Sequence, residues 1–461
     1  MSPLPRLSNA TLASPRYNRA QVRTGVVHLG LGAFHRAHQA PLFDDLIAGG
    51  DTRWGIAGVA MRSPHLIEAL ASQDGLYSLS ERSMVAPPPR VVGAIRSLHL
   101  AARNPVGVVA AMADPDTHLV TLTVTEKGYL DHGPEGPAGL IARALERRRV
   151  AGLAPLTILS CDNRTDNGAF TREAVLTAAS MAQASDACLR WIAEQVAFPA
   201  SMVDRITPAT TPAMAAESST MLGLHDEAAV WTEPFWQWVV EDRFTAVRPA
   251  LDSVGVQMVT DVEPWEKAKL RLLNAAHSAL AYHGLLHGHA YVHETVVDTN
   301  LRRLIEALWD EVATTLQPTI VDLAAYRAAL LKRFANPALP HALIQIAADG
   351  SQKLPPRILA SLAERNERGL LSPALASIFA GWVQALARID GLADPLLDRL
   401  CSTARSGEPI QAIVAQMLKI IGIDGPAPYA DELVQACERM DRLDHRSGST
   451  TTPMEQTTSR G

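Results

Sequence analysis

The chain has 461 residues, 47% hydrophobic and 20% charged, with a formal net charge of −6. That length divides into two or three domains, each able to bury a full core, and the mild acidity argues against nucleic acid or an anionic membrane as partner. No apolar run is long enough to span a bilayer and the N-terminus lacks the apolar core of a signal peptide, so a cytoplasmic protein is expected. The four cysteines, Cys161, Cys188, Cys401 and Cys437, are never spaced as C-x-x-C, which argues against a disulfide framework or a structural zinc. Only six lysines stand against 36 arginines, so a retained lysine is expected to meet a need specific to an amine.

Residues 1–24 read as an extension. Val26-Val27-His28-Leu29 is predicted to be a buried strand entering Gly30-Leu31-Gly32, with a helix over 33–47 behind it. In a strand–turn–helix unit such glycines let the backbone approach a pyrophosphate, and the helix start offers amide donors. Gly30, Gly32, Ala33 and Phe34 are therefore candidate cofactor contacts. His35 stands where G-x-G-x-x-G would place its third glycine, and an ordinary tight turn fits the spacing equally. A second strand over 54–60 ends in Ala60-Met61-Arg62-Ser63, without the acid that usually holds the adenosine ribose. Arg62 either meets a 2′-phosphate, which leaves NADP open beside NAD, or lies in solvent.

Further strands are predicted over 90–98, 118–125 and 156–160, with a helix over 138–149. Polar residues just past parallel strands mark the binding edge of an open α/β sheet. Thr125-Glu126-Lys127-Gly128-Tyr129 and Ser160-Cys161-Asp162-Asn163 occupy such places. Asp162 reads as a turn or cap residue, and Asn163 as an amide offered to substrate. Extended segments over 202–208, 233–238 and 256–262 follow.

Glu266 to Gly284, EKAKLRLLNAAHSALAYHG, is predicted to be a helix opened by Pro264. At about 100° per residue, Lys269 at 0°, Glu266 near 60°, His277 near 80° and Asn274 near 140° share one arc beside Leu270, Leu273 and Leu280. Polar groups on such an apolar face are costly to bury unless they are used, so this is the candidate catalytic helix. Helices over 300–316, 322–334, 355–367, 373–389, 395–403, 409–420 and 430–442 come next. A loop over 349–357 places Lys353 and Arg357 where the helical domain could close over a ligand. The expected fold is α/β: a Rossmann-like dinucleotide-binding domain over 25–262, a mainly α-helical domain over 263–446, Lys269 at their seam, and a disordered tail over 447–461.

The run His28 to His38 (HLGLGAFHRAH), Thr125 to Tyr129, Ser160 to Asn163, Asp204-Arg205-Ile206, and Lys269 with Asn274 and His277 resemble the mannitol dehydrogenase family. These are long-chain, zinc-independent polyol dehydrogenases that include the fructuronate reductases, or mannonate oxidoreductases. The resemblance runs in order over 26–442, with K-x4-N-x2-H and G-x-G-x-F-H-R-x-H as its specific motifs. It implies hydride transfer between C4 of the nicotinamide of NAD and a secondary alcohol or ketone of a small polyol or sugar acid, with no metal. By the same resemblance Lys269 is the base, Asn274 and Asn163 donate amides to the developing oxyanion, and His277 orients the substrate. Glu266 gates proton exit, and Lys353 and Arg357 contact the far end of the sugar. The candidate cofactor contacts are the glycine turn, Arg62, Glu126 and Lys127. DGSQKLPPR and EPFWQWVVEDRF resemble the fructuronate reductases, with Gln345 where mannitol dehydrogenases tend to carry an arginine. AMRSP and QDGLY resemble the polyol dehydrogenases. A fructuronate reductase is expected, with a mannitol or arabinitol 2-dehydrogenase as alternative. A non-catalytic dinucleotide sensor would have no use for Lys269.

Overall fold

In the computed structural model, which describes residues 4–12, 16–245, 247–317, 322–425 and 427–448, the chain divides into units 1–266 and 267–461. The first unit opens with strands β1 (Thr24–Leu29), β2 (Gly55–Ala60), β3 (Tyr77–Glu81), β4 (Arg90–Val92), β5 (Ile95–Leu100), β6 (Leu119–Leu122) and β7 (Thr157–Ser160). After them come β8 (Ser201–Asp204), β9 (Val230–Thr232), β10 (Gln237–Glu241) and β11 (Gln257–Val259). The main sheet is parallel throughout, in the order β5-β2-β1-β6-β7. Counted along the chain within that sheet, this is the 3-2-1-4-5 order of a doubly wound fold, with its switch point between β1 and β6. Both faces are covered, because successive residues enter different cores: Val26, Ile56 and Leu119 on one side, Val27, Ala57 and Val120 on the other. Each such Val, Leu or Ile contributes about 1.5–3 kcal/mol by leaving water. Smaller sheets, β11-β10-β8 and β4-β3-β9, complete the unit.

Two predicted elements are broken. The helix expected over 33–47 is two helices, Ala33–Ala37 and Gln39–Ala48, separated at His38. Pro41 has no N–H for the carbonyl of Ala37, and the Arg205 guanidinium donates to that carbonyl instead, at 2.5 Å. The strand expected over 90–98 is β4 and β5, in different sheets. Gly93, whose N–H is held by Asp44 at 2.8 Å, lies between them.

The described part of the second unit is helical. Ala275–Leu286 is buried along nearly its whole length and packs against Thr299–Ala313, Leu343–Ala347 and Pro373–Arg388. Close approach to the last is possible because a Cβ on Gly381 would stand 2.7 Å from the His283 ring. The loop expected over 349–357 is instead helical, as Gly350–Leu354 runs into a π-helical turn, Pro355–Leu359, and then Ala360–Glu367. Pro355 and Pro356 lack the N–H groups an α-helix would use, and the wider turn absorbs them, with Ala360 N–H donating five residues back to Pro355. The last helix, Ala430–Gly448, takes in Ser447 and Gly448, the first two residues of the expected disordered tail; the rest of that tail lies outside the described residues.

Candidate active site

At the switch point β1 runs into Gly30, whose φ is +97°. A Cβ there would stand 2.1 Å from the Thr123 carbonyl oxygen, so only glycine lets the turn approach the end of β6. Gly32 differs: its φ is −122°, and the nearest atom to an added Cβ is 3.6 Å away. The fold itself does not demand a glycine at Gly32. Ala33 and Phe34 follow as the first residues of the next helix.

Beneath the turn, Thr123 Oγ1 donates to the Gly30 carbonyl at 2.9 Å. It must therefore accept the His28 Nε2–H at 3.0 Å, which leaves Nδ1 to accept from the Thr121 hydroxyl at 2.8 Å. Burial pushes His28 down to about 3, and His35, stacked on it at 3.4 Å, is also held well below its usual value, chiefly by burial. His35 and Arg36 of the H-R motif are thus scaffold: the Arg36 guanidinium donates to the Ala228 carbonyl, and the Tyr77 hydroxyl donates to the Arg36 carbonyl at 2.6 Å.

A cavity of about 560 Å³ lies past the ends of β2, β5 and β6, lined among others by Met61, Arg62, Ala102, Val124, Thr125 and Gly128. Arg62 is exposed. The residues after β6 form the helical turn Thr125–Tyr129, and the side chains of Glu126 and Lys127 lie outside the described residues. Thr125 has φ +64°, a strained conformation for a β-branched residue that sequence reading did not reveal. Asp162, beyond β7, holds it there. Its carboxylate accepts Val124 N–H and Thr125 N–H, each at 3.0 Å, and the Tyr129 hydroxyl at 2.7 Å. Desolvation nonetheless pushes the Asp162 carboxyl upward. Asn163, the next residue, is exposed. Glu266, at the close of this unit, accepts the Asp166 N–H at 3.4 Å.

In the second unit Lys269, Asn274 and His277 are 8%, 9% and 8% exposed. Lys269 and Asn274 do not lie on a regular α-helix, whereas His277 does. Lys269–Asn274 is a π-helical turn between Glu263–Ala268 and Ala275–Leu286, with Ala275 N–H donating to Leu270 five residues back. Residues five apart, 140° apart on an α-helix, come closer together over a π turn, and five is the spacing of Lys269 and Asn274. The turn contains no proline or glycine. Tertiary groups hold it: the Trp309 indole donates to the Leu272 carbonyl at 2.9 Å, and the Arg271 guanidinium donates to the Thr315 carbonyl and pairs with Glu364 at 2.6 Å. The second π turn packs against it. From there Arg357 donates to the Asn274 carbonyl at 3.3 Å and the Ser278 hydroxyl at 3.2 Å. Arg357 is thus a half-buried brace for the Lys269–Asn274 turn, on a helical segment and not on the loop expected. Lys353 donates to the carbonyls of Ala348 and Ile346, at 2.5 and 3.3 Å.

A parallel sheet with a glycine turn at its switch point, and a lysine buried in the same helical stretch as an asparagine and a histidine, are parts an oxidoreductase acting on a CH–OH group would need. The family model described as the Mannitol dehydrogenase Rossmann domain matches residues 24–253, and that of the Mannitol dehydrogenase C-terminal domain matches residues 261–440. Over 92% of its length the chain is 40% identical to the uncharacterized oxidoreductase YeiQ of Escherichia coli, covering 93% of that protein. It is 38% identical to the D-mannonate oxidoreductase of the same organism, over 93% of each chain. The structure of Pseudomonas fluorescens mannitol 2-dehydrogenase, a ternary complex with NAD and D-mannitol, superimposes with a TM-score of 0.83 at 33% identity, covering 96% of this chain and all of that one. The chain belongs to the mannitol dehydrogenase family.

Proposed function

We propose that the protein is an NAD-dependent fructuronate reductase, interconverting D-fructuronate and D-mannonate. The reading is carried by Lys269, Asn274 and His277 on one braced helix, with Lys353, Arg357 and His341 close by to favour an anionic substrate. Similarity to a D-mannonate oxidoreductase supports it.

The residues fit NAD. The space before Gly32 is one a side chain would fill, and the cavity past β2, β5 and β6 suits an adenosine. Gly30, Gly32, Ala33 and Phe34 would hold the pyrophosphate, and Arg62, Glu126 and Lys127 would lie toward the rest of the dinucleotide. Bound NAD supplies the hydride acceptor, C4 of its nicotinamide. Lys269 removes the hydroxyl proton of the alcohol, or returns it to the ketone oxygen in reduction. Asn274, and Asn163 by the family pattern, donate amide N–H groups to that oxygen as charge develops, a role that needs no proton transfer. His277 orients the substrate and Glu266 passes the proton toward solvent.

A second reading, a mannitol or arabinitol 2-dehydrogenase, draws support from the bonds Lys353 and Arg357 make to the protein's own backbone, which leave fewer donors for a carboxylate. Initial rates with NADH and NADPH on D-fructuronate, D-fructose and D-xylulose separate the two. A preference for D-fructuronate is expected, and faster turnover of a neutral ketose would replace this reading with the second.

A further inference from the structure

The His277 ring faces two rings from other elements of its own unit, Phe334 at 5.0 Å and His341 at 5.4 Å between centroids, the latter nearly perpendicular at 84°. Nε2 of His277 and Nδ1 of His341 are buried, and neither has a hydrogen-bond partner among the described residues. Native proteins retain few such groups, because each forfeits its hydration without compensation. Two in one cluster mark a place where a ligand supplies the missing partners.

After burial, His277 is acted on first by His341 and then by the cations Arg333, Arg357 and Lys269, and His341 by Lys353. Burial first, and these neighbours second, hold both imidazoles below their usual value. Each is therefore a neutral ring with one donor and one acceptor nitrogen. Lys353 gives N–H groups to the Ala348 and Ile346 carbonyls and, with three to give, keeps one. The His341 side chain is not what holds its segment in place. Its carbonyl accepts the Val292 N–H at 3.0 Å, and Ala342 forms a β-bridge with Tyr291.

We propose that His341 is a substrate-binding residue, placed with Lys353 to take the carboxylate of an open-chain sugar acid while His277 takes a hydroxyl nearer the reacting carbon. The inference rests on the uronate reading above and deepens it. A carboxylate has an oxygen for each group and a charge opposite to that of Lys353, whereas the CH2OH of a neutral ketose offers one oxygen and no charge. His341 thus discriminates sugar acids from neutral sugars.

The test is steady-state kinetics of wild type, His341→Ala and His341→Asn on D-fructuronate and D-fructose, with NADH affinity measured by fluorescence. Loss of a hydrogen bond to a charged group predicts a KM for D-fructuronate raised about 10- to 100-fold in His341→Ala. The kcat, the KM for D-fructose and the NADH affinity should stay within about threefold. Equal losses on both substrates, or no change on either, would overturn the assignment. Should wild type itself prefer D-fructose, the uronate function fails while His341 is judged separately. In protein labelled in its histidine rings, with the His341 signal assigned by its loss in His341→Asn, saturating D-mannonate should move that signal and D-mannitol should not. A His341 signal unmoved by D-mannonate overturns the proposal whatever the enzyme turns over.

Discussion

Asp162→Asn probes the clamp that holds Thr125 in its left-handed conformation. An amide can accept at only one of the two carboxylate positions. Its NH2 settles at lowest cost opposite the Thr125 N–H, since the other oxygen serves both Val124 and Tyr129. One charge-assisted hydrogen bond is lost, worth about 1.5–3 kcal/mol. The loss is partly offset because a carboxylate that burial disfavours is removed, leaving a net cost of about 1–2 kcal/mol. Amide exchange of the 119–130 segment should then accelerate about 5- to 30-fold. Thr125→Gly relieves left-handed strain of about 1–3 kcal/mol while adding unfolded-state freedom of about 0.5–1 kcal/mol. If Asp162 works by holding that strain, its replacement should cost at least about 0.5 kcal/mol less in the Thr125→Gly background. Hydrogen–deuterium exchange on the four proteins closes the cycle. Additivity within about 0.3 kcal/mol would refute the clamp and leave Asp162 an ordinary turn residue.

Lys269→Ala should lower kcat about 10²- to 10⁴-fold with NADH affinity nearly unchanged, and Lys269→Arg should not restore it, since a guanidinium stays protonated. Wild-type turnover in either variant would remove Lys269 from the chemistry. The two glycines of the turn should separate. Gly30→Ala, meeting the Thr123 carbonyl at 2.1 Å, should destabilise the chain by at least about 2 kcal/mol in urea melts. Gly32→Val should leave the melt near wild type and abolish NADH binding; the reverse pattern would mean the turn has been misassigned. His28 and His35 are depressed in the folded state, so the stability they contribute is present above about pH 6.5 and is lost as pH falls toward their folded values, about 3 for His28. Each should cost up to about 1.4 kcal/mol per pH unit over that fall. A urea midpoint unchanged between pH 7.5 and 5 would contradict their buried, neutral state.

The local code is legible in the chain. Apolar β-branched runs specify the parallel strands, the glycines specify the turn after β1, and the Lys, Asn and His types with their spacing single out one helix as the candidate for chemistry. Pro41 and Pro355-Pro356 even hold the reasons for a broken helix and a widened turn, since a missing N–H is a property of the residue itself. What those residues face was decided by tertiary structure. The π turn over Lys269–Asn274 has no local cause and depends on Trp309, Arg271 and Arg357. Thr125 takes a backbone conformation its side chain disfavours only because Asp162 reaches it from the next strand. His341 meets His277 across a long stretch of sequence, through contacts that leave no periodic trace. Propensity and periodicity are sums over neighbours in the chain, whereas strain, register shifts and unpartnered nitrogens are settled by groups that become neighbours only on folding.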